Sequence, residues 1–109
     1  MFPEYTEALH KLEKFSYIHV LFWIDRAKPG KNIVHPPYEE AGKVGLFASR
    51  SPNRHNPIGL STVKVIKIEE NIIHTSCIDA LNKTPLLDIK PYLKSLDLKE
   101  GANNGWKND

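Results

Sequence analysis

The sequence predicts a mainly β fold, a small antiparallel β-barrel with one short N-terminal helix. Three observations carry that expectation: at least five short runs rich in β-branched and aromatic residues, one amphipathic stretch at helical spacing, and no alternation of strand and helix of the kind that builds a parallel sheet. At 109 residues the chain has the length of one domain.

Taken in order, Tyr5, Ala8, Leu9, Leu12 and Phe15 recur at helical spacing behind Pro3, which predicts a helix over Glu4 to Lys14. Residues 16 to 25, "SYIHVLFWID", form a nearly continuous apolar run that predicts a strand buried on both faces or set in a barrel wall. Residues 26 to 43 hold Pro29, Gly30, Pro36, Pro37 and Gly42 and read as a long loop, the kind of segment that often carries function. "VGLFASR" at 44 to 50 reads as a second strand, and "IGLSTVKVIKIEE" at 58 to 70 as a third. In the third, apolar parity changes from Val63 and Val65 to Ile66 and Ile68, which predicts a bulge. "EEN" then turns the chain into "IIHTSCID", and a polar connection leads to "TPLLDI". Residues 1 to 92 form the barrel domain on this reading, and 93 to 109 a polar tail that frays.

Composition excludes several classes. The 15 Lys and Arg against 13 Asp and Glu leave a net charge of +2, so attraction to nucleic acid must come from local clustering. A single cysteine, Cys77, rules out an internal disulfide and a multi-cysteine zinc site; it reads as a small buried residue in a protein of the cytoplasm. The longest apolar run falls short of a membrane span. No glycine-rich nucleotide loop, G-x-S-x-G or H-E-x-x-H motif is present, and no metal site is expected.

The chemistry concentrates in "GLFASRSPNRHNPIGLS", residues 45 to 61. Pro52 and Pro57 stiffen this stretch, because each fixes its own φ and disfavours a helical predecessor. Between the strands Arg50 and Arg54 supply planar, permanently charged donors, and Asn53 and Asn56 donate and accept. That combination suits an anionic or zwitterionic ligand, and Gly59 would admit close backbone approach. A rigid connection with solvated charges fits the same residues.

Together with "IDALNKTPLLDIKPY" at 78 to 92, this stretch resembles the paired signature of the TsaA-like (TrmO) family, and "PEYTEALHKLEKFSYIHVLFWIDRA" is similar to the family's lead-in. The resemblance implies a small β-barrel that binds S-adenosylmethionine, as a homodimer. It also implies N-methylation of threonylcarbamoyl-adenosine beside the tRNA anticodon; a non-catalytic barrel that binds the cofactor or RNA is the alternative. On this resemblance Arg50 pairs with the methionine carboxylate or orients the transferred group, while Arg54 and Asn56 hold cofactor or RNA phosphate. Gly59 and Leu60 wall the adenosine, although Leu60 is equally read as core. Ile78, Asp79, Leu81 and Asn82 surround the adenine and ribose, Asp79 being otherwise a turn cap, and Asp25 and Arg26 complete the cofactor set. Asp79 and His55 are the catalytic candidates, with Asp88 a further one that reads more simply as an ion pair with Lys90. Arg26, Lys28, Lys31, Lys64, Lys67, Lys90 and Lys94 supply either a basic approach for tRNA or simply a solvated charged face, and Trp23, Tyr38 and Tyr92 are stacking candidates that read otherwise as core. His19 reads as a packed, hydrogen-bonded ring.

Two departures stand out. Arg54-His55-Asn56 replaces the family's R-P-N, and the family's early strands and P-R-Q motif have no counterpart before Met1. The barrel is therefore expected to be incomplete at its start, with its open edge covered by a partner.

Overall fold

Alternation along residues 17 to 23 decides the architecture. In the computed structural model, which describes residues 3–28, 30–36 and 42–107, strand β1 (Tyr17–Trp23) buries Ile18, Val20 and Phe22 on one face and leaves Tyr17 and Trp23 exposed on the other. The run expected to be buried on both faces is thus covered fully on only one. The short β2 (Ile33–Val34) and β3 (Val44–Gly45) pair with each other, apart from the main sheet. Then come β4 (Ile58–Glu69), β5 (Ile72–Thr75) and β6 (Leu86–Pro91). The main sheet is antiparallel in the order β5-β4-β1-β6, with Phe22 opposite Gly59 and Trp23 opposite Ile58. Its core is Ile18, Val20, Phe22 and Val63, backed by Leu12, Ile24, Val65, Ile73 and Ile89.

The bulge read from the parity change is present: between Val65 and Lys67 the register with β5 slips, and Ile66 falls out of the pairing. A second slip, between Leu21 and Phe22 against β6, had no counterpart in the apolar pattern.

Four expectations need correction. The sheet does not close into a barrel, because its edge strands β5 and β6 do not pair and the smallest closed barrels use about five strands or more. "VGLFASR" leaves the strand after Gly45 and turns through a 3-10 segment, Leu46–Ala48, that buries Leu46 instead of continuing the alternation. The N-terminal helix is two 3-10 pieces, Pro3–Leu9 and Leu12–Lys14, broken at Lys11, whose φ of 69° is left-handed. So short a segment holds an α-helix only with strong packing, and here Leu9 alone is buried, with Leu12 resting on the core. Finally, Cys77 is exposed, since β5 ends at Thr75 and the alternation that would have turned it inward ends with it.

Beyond β6, the tail expected to fray carries a single helical turn, α1 (Lys94–Asp97), and a 3-10 turn, Gly105–Lys107. The Trp106 indole N–H donates to the Ala48 carbonyl at 2.6 Å, which ties the tail to the turn after β3. Asp97 accepts from the Leu93 amide at 2.8 Å and lies 3.4 Å from His19 Nε2, while His19 Nδ1 is 2.8 Å from Thr62 Oγ1. His19 is therefore the packed, hydrogen-bonded ring the sequence suggested.

The accessible surface of 8640 Å² is well above the roughly 6,100 Å² expected of a compact 12.4 kDa chain. The radius of gyration, 16.2 Å, likewise exceeds the ~13 Å of a compact chain this long. Ile72 and Leu86, one on each edge strand, are exposed, so both edges offer apolar surface as well as unpaired backbone.

Candidate functional site

Where β1 ends and β4 begins, two loops fold over the sheet end from opposite sides. Trp23 N–H donates to the Pro85 carbonyl at 2.9 Å and Ile24 N–H to the Pro57 carbonyl at 2.7 Å, so the end of β1 is stitched to both loops. Between them lies a cavity of about 920 Å³, at the upper end of the range for small-molecule sites. Phe47, Ser49 to Pro52 and Arg54 form one wall and Ile78 to Leu81 with Thr84 the other, with Phe22 and Gly59 of the sheet and Ile24 just past β1 also lining it. The two sequence motifs, separate in the chain, thus face each other.

Alternation within the first loop explains its composition. Arg50 and Arg54 line the cavity, whereas Asn53 and His55 turn to the 28–32 segment. Asn53 Oδ1 accepts from the Lys28 amide at 3.0 Å, and the His55 ring N–H donates to Asn32 Oδ1 at 3.1 Å. Gly30 is needed here, because a Cβ would fall on the Asn53 carbonyl. His55, expected as a catalytic base, is therefore a clasp outside the cavity wall, and Asn56 does not line it either.

The three guanidinium groups differ in what they already hold. Arg54 donates to the Ser49 carbonyl at 2.9 Å and the Ser51 carbonyl at 3.2 Å, bracing the loop from within. Arg26 donates to the Asn82 carbonyl at 3.1 Å, joining the end of β1 to the second motif; Asn82 itself contributes that carbonyl and does not line the cavity. Arg50 makes no hydrogen bond or ion pair among the described residues and is exposed to the cavity. Asp25 and Asp79 add two exposed carboxylates, and Ile58, Leu60, Ile78 and Leu81 an apolar surface. Leu60 is about half exposed, so it belongs to the cavity and not to the core.

Gly59 lines the cavity and packs against Phe22 from the neighbouring strand. Close approach does require a glycine, but the group approaching is the Phe22 ring, on which a Cβ would fall.

Asp88 forms the ion pair read from the sequence, 3.0 Å from Lys90, and does not line the cavity. The Lys90 hydrogen bond, followed by the Ile89 amide at 2.8 Å, holds its carboxyl below the ordinary 3.8. A group shifted this way contributes stability above its unfolded pKa and loses it as pH falls through the folded value. We expect an NMR titration of the Asp88 carboxyl to have its midpoint below 3.8, and Lys90→Ala to move it upward. Of the basic approach, Lys67 is paired with Glu69 at 2.8 Å, and Arg26 and Lys90 are engaged as described. Tyr92 packs edge-on to Tyr17 and His19, Trp23 is partly exposed, and Tyr38 lies outside the described residues.

Sequence reasoning missed Phe47, Ser49 and Ser51. Phe47 lines the cavity and is 84% exposed, while its neighbour Leu46 is buried. An apolar ring beside a run of polar loop residues was the available signal. Ser49 Oγ donates to the Leu46 carbonyl at 2.8 Å and accepts from the Ser51 amide at 3.3 Å, so it shapes the wall without facing a ligand first.

Among the described residues no group of side chains is suited to hold a metal, and no helix is long and apolar enough to cross a membrane. The family model of the tRNA-methyltransferase O N-terminal domain matches residues 1–98. A probable S-adenosyl-L-methionine-binding protein of Pyrococcus abyssi is 42% identical over 106 residues, 97% of this chain and 57% of that protein. A human tRNA (adenine(37)-N6)-methyltransferase is 42% identical over 99 residues, covering 87% of this chain and 22% of the relative. A crystal structure of TrmO superposes with a TM-score of 0.80 at 36% identity, over 96% of this chain and 47% of that one. The chain thus spans about half the length of the first relative and of the solved TrmO chain, and much less of the human protein.

Proposed function

The chain belongs to the family of the tRNA-methyltransferase O N-terminal domain, and from that premise we propose that it holds S-adenosylmethionine in the cavity and methylates N6 of the adenosine beside the tRNA anticodon, with threonylcarbamoyl-adenosine as acceptor. One observation carries the reading: a single cavity places the Arg50 guanidinium, unengaged among the described residues, two carboxylates and an apolar wall together. Those donor types match the cofactor, which has an α-carboxylate for Arg50, an ammonium and ribose hydroxyls for Asp25 or Asp79, and an adenine for Ile58, Leu60 and Ile78.

When bound, the cofactor supplies a methyl group on a sulfonium with an excellent leaving group, so alignment carries much of the acceleration. Arg50 fixes the carboxylate end, and Arg26 keeps the two walls in register through Asn82. The ureido-like nitrogen of the acceptor sheds a proton as it becomes alkylated, and the carboxylate of Asp79, exposed on the cavity wall, is the group assigned to take it.

The excess surface and apolar edges fit a homodimer, and the cytoplasm fits a tRNA substrate. A second reading, cofactor binding without transfer, is favoured by one observation: His55 lies outside the cavity, which leaves only exposed carboxylates as bases.

Calorimetry with S-adenosylmethionine, followed by methyl transfer to tRNA with and without the threonylcarbamoyl group, tests the proposal. We expect saturable binding and label incorporated only into the modified tRNA. Binding without incorporation would establish the second reading, and no binding at millimolar cofactor would remove both.

A further inference from the structure

We propose that Phe47 is the platform on which the acceptor adenine stacks once displaced from the tRNA loop; this deepens the reading above and rests on it. Methylation at N6 needs the base out of its stack, and unstacked bases are received on aromatic rings and guanidinium planes. Phe47 offers such a surface on the cavity wall, with the Arg54 guanidinium carbon 5.9 Å from its ring centroid.

The backbone beneath the ring is pinned on both sides. Leu46 is 3% exposed and anchors the turn from below, while Phe47 is 84% exposed. Three hydrogen bonds hold the backbone of this turn: Leu46 N–H to the Asn32 carbonyl at 2.7 Å, Ser49 Oγ to the Leu46 carbonyl at 2.8 Å, and the Trp106 indole to the Ala48 carbonyl at 2.6 Å. Arg54 is fixed by its own two carbonyl bonds, and the His55 ring stands edge-on to Phe47 at 6.5 Å. A turn pinned this way carries its one exposed apolar ring on the cavity side, beside a guanidinium and an imidazole. The apolar wall suited to the cofactor's own adenine is formed by other residues, Ile58, Leu60 and Ile78, which leaves Phe47 for the second base.

The test uses the whole chain and a fluorescent anticodon stem-loop RNA, with threonylcarbamoyl-modified adenine or an abasic site 3′ to the anticodon, read by anisotropy. Phe47→Ala is expected to lose roughly tenfold or more in affinity for the adenine RNA. On the abasic RNA it should match the wild type. Phe47→Trp should keep the affinity, and the salt dependence should not change, because no phosphate contact is removed. Binding of S-adenosylhomocysteine by calorimetry should be unaltered. Equal affinity of Phe47→Ala and wild type for the adenine RNA would overturn the platform. So would a loss of S-adenosylhomocysteine binding, which would make Phe47 a cofactor wall, or an equal loss on both RNAs accompanied by a change of oligomeric state in sedimentation. A wild-type chain that binds S-adenosylhomocysteine but not the RNA would instead overturn the acceptor reading, and the platform with it.

Discussion

Replacing Arg50 with alanine is expected to weaken S-adenosylmethionine binding by about 1.5–3 kcal/mol, roughly 10- to 150-fold in Kd, while leaving the folded state almost untouched. The asymmetry follows from what the three cavity arginines already do. Arg26 and Arg54 each donate to backbone carbonyls, so their removal would loosen loops before it touched a ligand. Arg50 is exposed and has no such bond among the described residues; its loss should shift stability by no more than about 0.5 kcal/mol. Arg50→Lys keeps the charge but not the planar fork, so it should recover only part of the affinity. Isothermal calorimetry and thermal unfolding on the same samples check both halves. An Arg50→Ala protein with unchanged cofactor affinity would mean that the carboxylate is held elsewhere in the cavity.

Arg54 illustrates where sequence reasoning stopped. Charge and proline spacing marked residues 50 to 54 as a stiff cationic loop, and the structure places both arginines on the cavity wall. Which guanidinium was free depended on the Ser49 and Ser51 carbonyls, which accept from Arg54 in the turn that follows the end of β3 at Gly45. That early exit could not be read from "VGLFASR", whose apolar residues satisfy a strand or a turn equally well. The bulge at Ile66 was legible because a change of parity is a local property of the chain. Barrel closure was not, since it depends on whether the edge strands β5 and β6 find each other, and neither carries that information. The position of His55 was hidden for the same reason: its partner, Asn32, lies in a segment with no periodic pattern.

Gly59→Ala is expected to destabilise the fold by about 1–3 kcal/mol, the usual cost of overpacking, despite the gain that alanine brings by restricting the unfolded chain. Gly59 is buried in β4 directly opposite Phe22, and a Cβ there would fall on the Phe22 ring. The ring has little room to yield, because it is 7% exposed and packs in the core with Ile18, Val20 and Val63. Nor does the backbone at Gly59 demand glycine, since its φ lies outside the left-handed region. The clash is therefore with one side chain, and shortening that side chain should relieve it. Phe22→Leu removes the ring atoms nearest the new methyl at a cost of about 1 kcal/mol of its own, and Gly59→Ala introduced into that background should be close to neutral. A coupling energy of at least 1 kcal/mol in the double-mutant cycle, measured by denaturant unfolding, is the expected result. Phe22 and Gly59 both line the cavity, so the single substitution should also weaken cofactor binding by pushing the ring into it. If the glycine instead admitted the ligand directly, Phe22→Leu would restore stability to the Gly59→Ala protein and leave its cofactor affinity low. Recovery of both together assigns the glycine to the ring.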